Sequence, residues 1–510
     1  MSQNANITRL YREKLLADPY RPGYHFAVPD GNGYPGDPNG AFFADGRYHL
    51  MYLYKSDIQN SYSWGHISSL DLLHWRHHPD ALTSLDGDGG CFSGGAFVDD
   101  DGTAYLTFWK FPSKNGTDNG GIAIAYSKSP YEVWERITPI AVESSHEHWG
   151  VTDIEIDGHV KHIACADPGN IWKMNGYYYI QTGNKVLLDN FGRNAGSPIE
   201  YKGDFTDLFR SKDLKSWEFV HRFYENPHLD ADYPDETEDD MCPTLLPLPD
   251  AKCDGKLTEK YLQTFISHNK GGQYYIGELR GEKFHPTEHG RFTWKDNALF
   301  APEAMLDDKN RHLAWFWYLD DIKGEYAARE WLGVYSFPRV FWYDGGLKMA
   351  PACELDKLQY NEQSFNVGSL DGTRELAVKN GESFRLRANI DPCGAKSITV
   401  RVRANSDCSE YTDITVDIPA DKLIVDTTHS GNTVKAIREE APFTLTEGET
   451  LSLDIFVDKS VVEVYANERQ AICRRVYPAT PSDAMHVHVI SDGADLGEVA
   501  AWEMMPTNMY

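Results

Sequence analysis

Phe42-Phe43-Ala44-Asp45-Gly46-Arg47-Tyr48-His49-Leu50-Met51-Tyr52 runs from an apolar stretch through a two-residue turn into an aromatic-rich stretch. Asp-Gly between β-rich runs is a strong hairpin signal, because a tight hairpin turn asks both central residues for positive φ. The theme returns in Ala96-Phe97-Val98-Asp99-Asp100-Asp101-Gly102-Thr103-Ala104-Tyr105-Leu106, in Ile171 to Ile180 around Asn175-Gly176, and in Ala301 through Trp317. Tyr261 to Leu279 supplies a further pair of strands. Ser69-Leu70-Asp71-Leu72-Leu73-His74-Trp75 also echoes Ser211-Lys212-Asp213-Leu214-Lys215-Ser216-Trp217. Sheet units recurring every ~60–80 residues predict propeller blades, about five of them. Helical periodicity is confined to a short helix near Thr8–Leu16.

The pattern changes after residue 350. Ser397-Ile398-Thr399-Val400-Arg401-Val402-Arg403 and Leu451-Ser452-Leu453-Asp454-Ile455-Phe456-Val457 alternate more regularly, and Val461 to Tyr465 follows after a turn. Short alternating strands with turn signals between them predict a β-sandwich. The expected fold is all-β: a five-bladed β-propeller over 1–352, a polar linker over 353–372, and a C-terminal β-sandwich over 373–510.

At 510 residues with 13% aromatics, the chain suits a β-rich protein that stacks sugars on rings. A formal net charge of −28 argues against nucleic acid and anionic membranes as partners. A homo-oligomer stays open. No run approaches the ~18 apolar residues of a spanning helix. The start of the chain shows no apolar signal segment, so a cytoplasmic protein is expected unless a leader has been trimmed. The eight cysteines form no CxxC pair, which speaks against zinc; free, buried thiols are expected. Asp86-Gly87-Asp88-Gly89-Gly90 has a calcium-loop look but lacks the rest of an EF-hand pattern, so it reads as a surface turn feeding Phe92.

Three acidic segments carry the chemistry: Asp37 in Gly36-Asp37-Pro38-Asn39-Gly40, Asp167 in Cys165-Ala166-Asp167-Pro168, and Glu238-Asp239-Asp240-Met241-Cys242-Pro243. Each precedes an apolar or aromatic run, as expected for the innermost strand of a blade, which lines the central channel. Converging carboxylates suit glycoside cleavage: one attacks the anomeric carbon, another protonates the leaving oxygen, a third binds hydroxyls. The plainer alternative is three turn acids beside unrelated strands. Trp64, Phe92, Trp109 and Trp149 are candidates for a stacking wall, with blade packing as the other reading. His66 reads as a structural hydrogen-bonder.

The ordered set of motifs resembles glycoside hydrolase family 32, the β-fructofuranosidases. Asp37-Pro38-Asn39-Gly40 is similar to the nucleophile motif, Trp64-Gly65-His66 with Asp71-Leu72 and Trp75 to the segment after the first strands, and Phe92-Ser93-Gly94-Gly95 to the motif that touches the fructosyl unit. Ala166-Asp167-Pro168 stands where the family has Arg-Asp-Pro. Phe300-Ala301-Pro302-Glu303 and Trp331 to Arg339 resemble last-blade motifs, and Ile455 to Tyr465 the signature of the sandwich. The resemblance implies retaining catalysis through a fructosyl-enzyme intermediate, with Asp37 as nucleophile, Asp167 as transition-state stabiliser, and Asn39, Trp64, Phe92, Ser93 and Trp109 toward the substrate. No metal or organic cofactor is implied.

The family's acid normally directly precedes Cys-Pro, and that position here is Met241. Glu238 is the preferred acid on reach and ordinary pKa. Asp239 is second, since it shares a strand face with position 241, and Asp240 stays open as the third. Tyr34-Pro35-Gly36 replaces Trp-Met-Asn, Ala166 replaces Arg, and Leu53 replaces Gln. These losses put the sugar in question more than the fold. The expected activity is cleavage of β-fructofuranosidic linkages in sucrose, fructo-oligosaccharides or fructans. The alternatives are a fructosyltransferase, an enzyme of cyclic difructose, and a non-catalytic carbohydrate-binding relative. An arabinan- or xylan-active propeller of family 43 is disfavoured by the sandwich signature.

Overall fold

Asp45 and Gly46 sit at φ 51° and 69° and join Gly33–Ala44 to Arg47–Ser56, the hairpin that their sequence predicts. Asn175 and Gly176 repeat the turn, at 52° and 76°, between Trp172–Met174 and Tyr177–Gly183. The Ser-x-Asp-Leu-x-x-Trp echo is one turn used twice. Asp71 accepts from the backbone N–H of Leu73 and His74, and Asp213 from those of Lys215 and Ser216. In both, the Leu takes positive φ, 64° and 62°. Each turn links the third and fourth strands of its sheet. The structure, a computed structural model, describes residues 3–28, 33–56, 59–84, 89–225, 239–268, 270–294, 296–319, 331–433 and 435–508.

Five antiparallel sheets follow one another along the chain, and they are the blades of a β-propeller. Blade I begins with Gly33–Ala44, blade II with Ala96–Val98, blade III with Ala166–Pro168, blade IV with Met241–Pro249 and blade V with Leu299–Leu306. The opening strands of blades I, III, IV and V touch their neighbours around the ring, and blade III meets blade II at Ala104–Lys110. Polar bridges stitch the inner ring. Asn39 accepts from Gly94 N–H, Thr107 donates to the Gly169 carbonyl, and Asn170 exchanges two bonds with the Leu245 backbone. Ala41 N–H donates to buried Glu303 at 2.7 Å, returning blade V to blade I. Ala27–Val28 pairs with Leu332–Val334, so the start of the chain also clasps the last blade.

Two six-stranded sheets pack their inner faces together as the sandwich, around Leu386, Val400, Ile455, Val464 and Val489. The expected linker over 353–372 is a correction. Cys353–Leu358 is a 3₁₀ turn, Gln359–Asn366 pairs with Glu498–Met504, and Ser369–Leu376 pairs with His486–Asp495. These are outer strands with mostly wetted side chains, so apolar alternation does not mark them. The helix is longer than expected, at Gln3–Ala17. None of the eight cysteines is paired with another, but Cys253, Cys353 and Cys393 are exposed rather than buried. Among the described residues, no helix is long and apolar enough to cross a membrane.

A buried ionic knot joins propeller to sandwich. His25 places Nδ1 3.0 Å from Asp458 and Nε2 3.2 Å from Glu463. Asp458 also accepts the backbone N–H of Gly23, Tyr24 and His25, and Glu463 accepts from Tyr318, Tyr465 and the Phe337 N–H. Burial disfavours charge on both partners. Hydrogen bonds from His25 nevertheless hold Glu463 down at about 2, and those to Asp458 and Glu463 raise His25 above its ordinary value. Glu463 therefore stabilises the fold fully above its unfolded value, roughly 4.3, and this is lost as pH falls toward 2. The His25 contribution is full below roughly 6.5 and is lost as pH rises through its native value. Glu463→Gln should cost about 3–5 kcal/mol in urea unfolding at neutral pH, because it leaves buried partners uncompensated. It should also flatten the acid-side fall of the melting temperature.

Candidate active site

Proline has no N–H for a sheet ladder, so a strand carrying one tends to bulge. Pro38, Pro168 and Pro243 lie in the innermost strands of blades I, III and IV, and each strand slips register there. Asp167 and Cys242, each directly before a proline, take positive φ of 47° and 49°. A non-glycine residue held there costs about 1–3 kcal/mol, which the surrounding ring must offset. The bulges turn Asp37, Asp167 and Cys242 out of the ladder and into one cavity of about 360 Å³.

The Cys242 thiol lies 3.3 Å from Asp167 Oδ2 and 3.9 Å from Asp37 Oδ2, so the two carboxylates face each other across one sulfur. The Cys242 backbone N–H donates to the same Asp167 oxygen at 2.7 Å. Ser93 Oγ donates to Asp37 Oδ2 at 2.5 Å. Tyr335 donates to the Gly36 carbonyl at 2.8 Å and fixes the backbone beside Asp37. Burial is the main cause that raises Asp37, with the Asp167 charge adding and Ser93 opposing; the result is about 6. Burial also raises Asp167, against the Cys242 hydrogen bonds. Burial and the two carboxylates push the Cys242 thiol well up, so it remains an S–H donor. The site thus holds a carboxylate poised to ionise near neutrality beside a second that is pinned by N–H and S–H groups.

Of the four aromatics expected at the wall, Phe92 and Trp109 line the cavity and Trp64 and Trp149 do not. Phe92 and Trp109 line the cavity with their rings 5.4 Å apart, and Trp149 stacks behind Trp109 at 4.2 Å. Trp64 is fully buried, and its Nε1 donates to the Phe92 carbonyl at 3.2 Å. It props the wall from behind and does not reach the cavity. Asn39 is also buried, spent on Gly94 N–H and the Asp37 carbonyl, and acts on the loop rather than on a substrate. His66 bonds His49 at 2.9 Å inside blade I, where burial lowers it to about 2.

Of the expected acids, Asp239 and Asp240 are described and do not line the cavity. Glu238, like the acidic run before it and Asp86 to Asp88, lies outside the described residues. Asp239 is turned away: it accepts from Arg193 at 3.1 Å and from the His268 backbone N–H at 2.6 Å. Met241, at the position of the family's acid, lines the cavity beside Leu53, with Lys185 N–H on its sulfur at 3.4 Å. Lys185, His268, Tyr62 and Trp317 line it without having been singled out from the sequence. For His268 no local pattern gave a signal: it reaches the site through the antiparallel register that pairs Met241 with Ile266 and, continued outward, sets Asp239 opposite His268.

Residues 25–351 match the Glycosyl hydrolases family 32 N-terminal domain, and residues 354–503 match the Glycosyl hydrolases family 32 C terminal domain. The chain belongs to glycosyl hydrolase family 32. It is 25% identical to a sucrose-6-phosphate hydrolase of Zymomonas mobilis, over 98% of this chain and 94% of that protein. It is 26% identical to a raffinose invertase of Escherichia coli, over 98% and 99%. Among solved structures, fructan 1-exohydrolase IIa from Cichorium intybus superposes with a TM-score of 0.77 at 19% identity, over 96% of this chain and 98% of that one. That likeness carries the propeller-plus-sandwich fold.

Family 32 membership fits the carboxylate pair in this cavity. Carbon-13 NMR of the aspartate carboxyl groups should find Asp37 titrating near pH 6. Ser93→Ala, which removes the bond that favours its charged form, should move that titration higher. An unchanged midpoint would contradict the role given to Ser93.

Proposed function

We propose that this glycoside hydrolase cleaves β-fructofuranosidic linkages with retention. The observation that supports this best is the meeting of Asp37 and Asp167 across Cys242 in an aromatic-walled cavity. In this reading Asp37 attacks the anomeric carbon and forms a fructosyl ester as the glycosidic bond breaks. Asp167, kept accepting by the Cys242 N–H and S–H, takes hydrogen bonds from the sugar hydroxyls as charge develops on the ring. Water then attacks the same carbon and releases fructose and the Asp37 carboxylate.

The relatives' named substrates support short fructosides such as sucrose as the first to test. Leu53 and Met241 leave fewer polar groups on the wall, which supports looser discrimination among fructosides. The eight cysteines, none paired with another, support a reducing, cytoplasmic setting. Asp37→Asn should lower fructose release from sucrose and 1-kestose on the order of 10⁴-fold, as removal of a nucleophile does. In the wild type, kcat/KM should fall below about pH 6 as Asp37 takes up its proton. Retained turnover in Asp37→Asn on every fructoside tried would refute the reading.

A further inference from the structure

With Met241 where the family carries its acid, the departing sugar oxygen needs a proton from elsewhere. The cavity holds few polar side chains, and most are committed. Ser93 donates to Asp37, and the Cys242 thiol donates toward Asp167. Lys185 is paired with Asp189. Tyr62 is raised above its ordinary value by burial and by Asp37, so it gives up a proton with difficulty. His268 is different. Its Nδ1 lies 3.4 Å from the Asp239 carboxylate, and its Nε2 has no hydrogen-bond partner among the described residues. The ring borders the cavity with 40% of its side chain exposed, while Asp239 behind it is 2% exposed.

Resting on the β-fructofuranosidase reading above, we propose that His268, clamped by Asp239, is the acid that protonates the leaving group in place of the missing carboxyl. The geometry has two parts. Asp239 holds His268 twice, at the backbone N–H and at Nδ1, and is itself fixed by Arg193. That leaves Nε2 as the ring nitrogen without a partner among the described residues, able to carry the proton when the ring is an imidazolium. A buried carboxylate behind an imidazole fixes the orientation of the ring. His268 lines the same cavity as Asp37 and Asp167.

The step balances without an added reagent. Asp37 forms its bond to the anomeric carbon, and the glycosidic C–O bond breaks with its electron pair on the departing oxygen. That oxygen takes the proton from Nε2, and the leaving sugar departs as an alcohol with neutral imidazole behind it. In the second half the imidazole takes a proton from the attacking water, the ester bond to Asp37 breaks, and imidazolium is restored. His268 is thus the catalytic acid and base, and Asp239 is a positioning residue. The charged and titratable groups around the ring are Asp239 and Cys242 on its own blade, Asp37, Tyr62 and Asp167 across the cavity, and Lys185 and Arg193 on the connection between Tyr177–Gly183 and Phe205–Ser211 of blade III.

Leaving-group dependence tests this. His268→Gln should lose about 10²–10⁴-fold in kcat on sucrose, the scale of general acid catalysis, and less than about tenfold on a β-fructofuranoside with a nitrophenol leaving group that needs no proton. Asp239→Asn, which frees the ring to turn, should show the same leaving-group dependence at smaller size, and Asp239→Glu should restore most of kcat on sucrose. Equal losses on both substrates, or none on either, would overturn the role of His268. So would a selective loss in Glu238→Gln that His268→Gln does not show. Full kcat on sucrose in Asp239→Asn would overturn the positioning role. A wild type that cleaves neither substrate would instead defeat the fructosidase reading, and the inference with it.

Discussion

Two carboxylates cannot share a water-poor cavity without help, and the architecture of this protein answers that constraint. Burial raises both Asp37 and Asp167, and the charge of Asp167 adds to the cost of charging Asp37. The help arrives unevenly. Asp167 receives a backbone N–H and a thiol, both from Cys242, whereas Asp37 receives a single hydroxyl from Ser93. The uneven provision separates their roles. One stays an acceptor, and the other is left reactive, with a pKa brought up to about 6.

That provision depends on three blades agreeing on the place of a few atoms. Asp37, Asp167 and Cys242 sit on bulged inner strands of different sheets, and two of them hold positive φ. The side-chain bridges between successive inner strands and the Glu303–Ala41 return bond hold the bulges in register with one another. The clasp of Ala27–Val28 on Leu332–Val334 closes the ring, and the His25 knot then seats it on the sandwich. Stability and chemistry are linked here because the strain at the site persists only inside a closed ring.

The blades were legible because their turns have little chemical freedom. Asp45-Gly46 and Asn175-Gly176 need positive φ twice over, and the paired Ser-x-Asp-Leu-x-x-Trp turns cap their own backbone in the same way. Asp37 and Asp167 were legible as part of the cavity because the prolines after them mark the inner strands, Phe92 and Ser93 through the motif they form with Gly94 and Gly95, and Trp109 only as an aromatic candidate for the wall. Gln359–Asn366 was hidden because a wetted outer strand carries no apolar alternation. Trp64 and Asn39 were misplaced because a motif gives a residue's neighbourhood and not the direction of its side chain. His268 escaped notice because what brings it to the site is pairing across a sheet, which no local pattern announces.

The central claim is that Asp37 makes a covalent bond to the sugar. Rapid acid quench during turnover of sucrose, followed by proteolysis and mass spectrometry, reads this directly. The account predicts one hexosyl unit on the peptide that carries Asp37, and none in Asp37→Asn. A hexosyl adduct on a different residue, or turnover with inversion and no adduct, would contradict it.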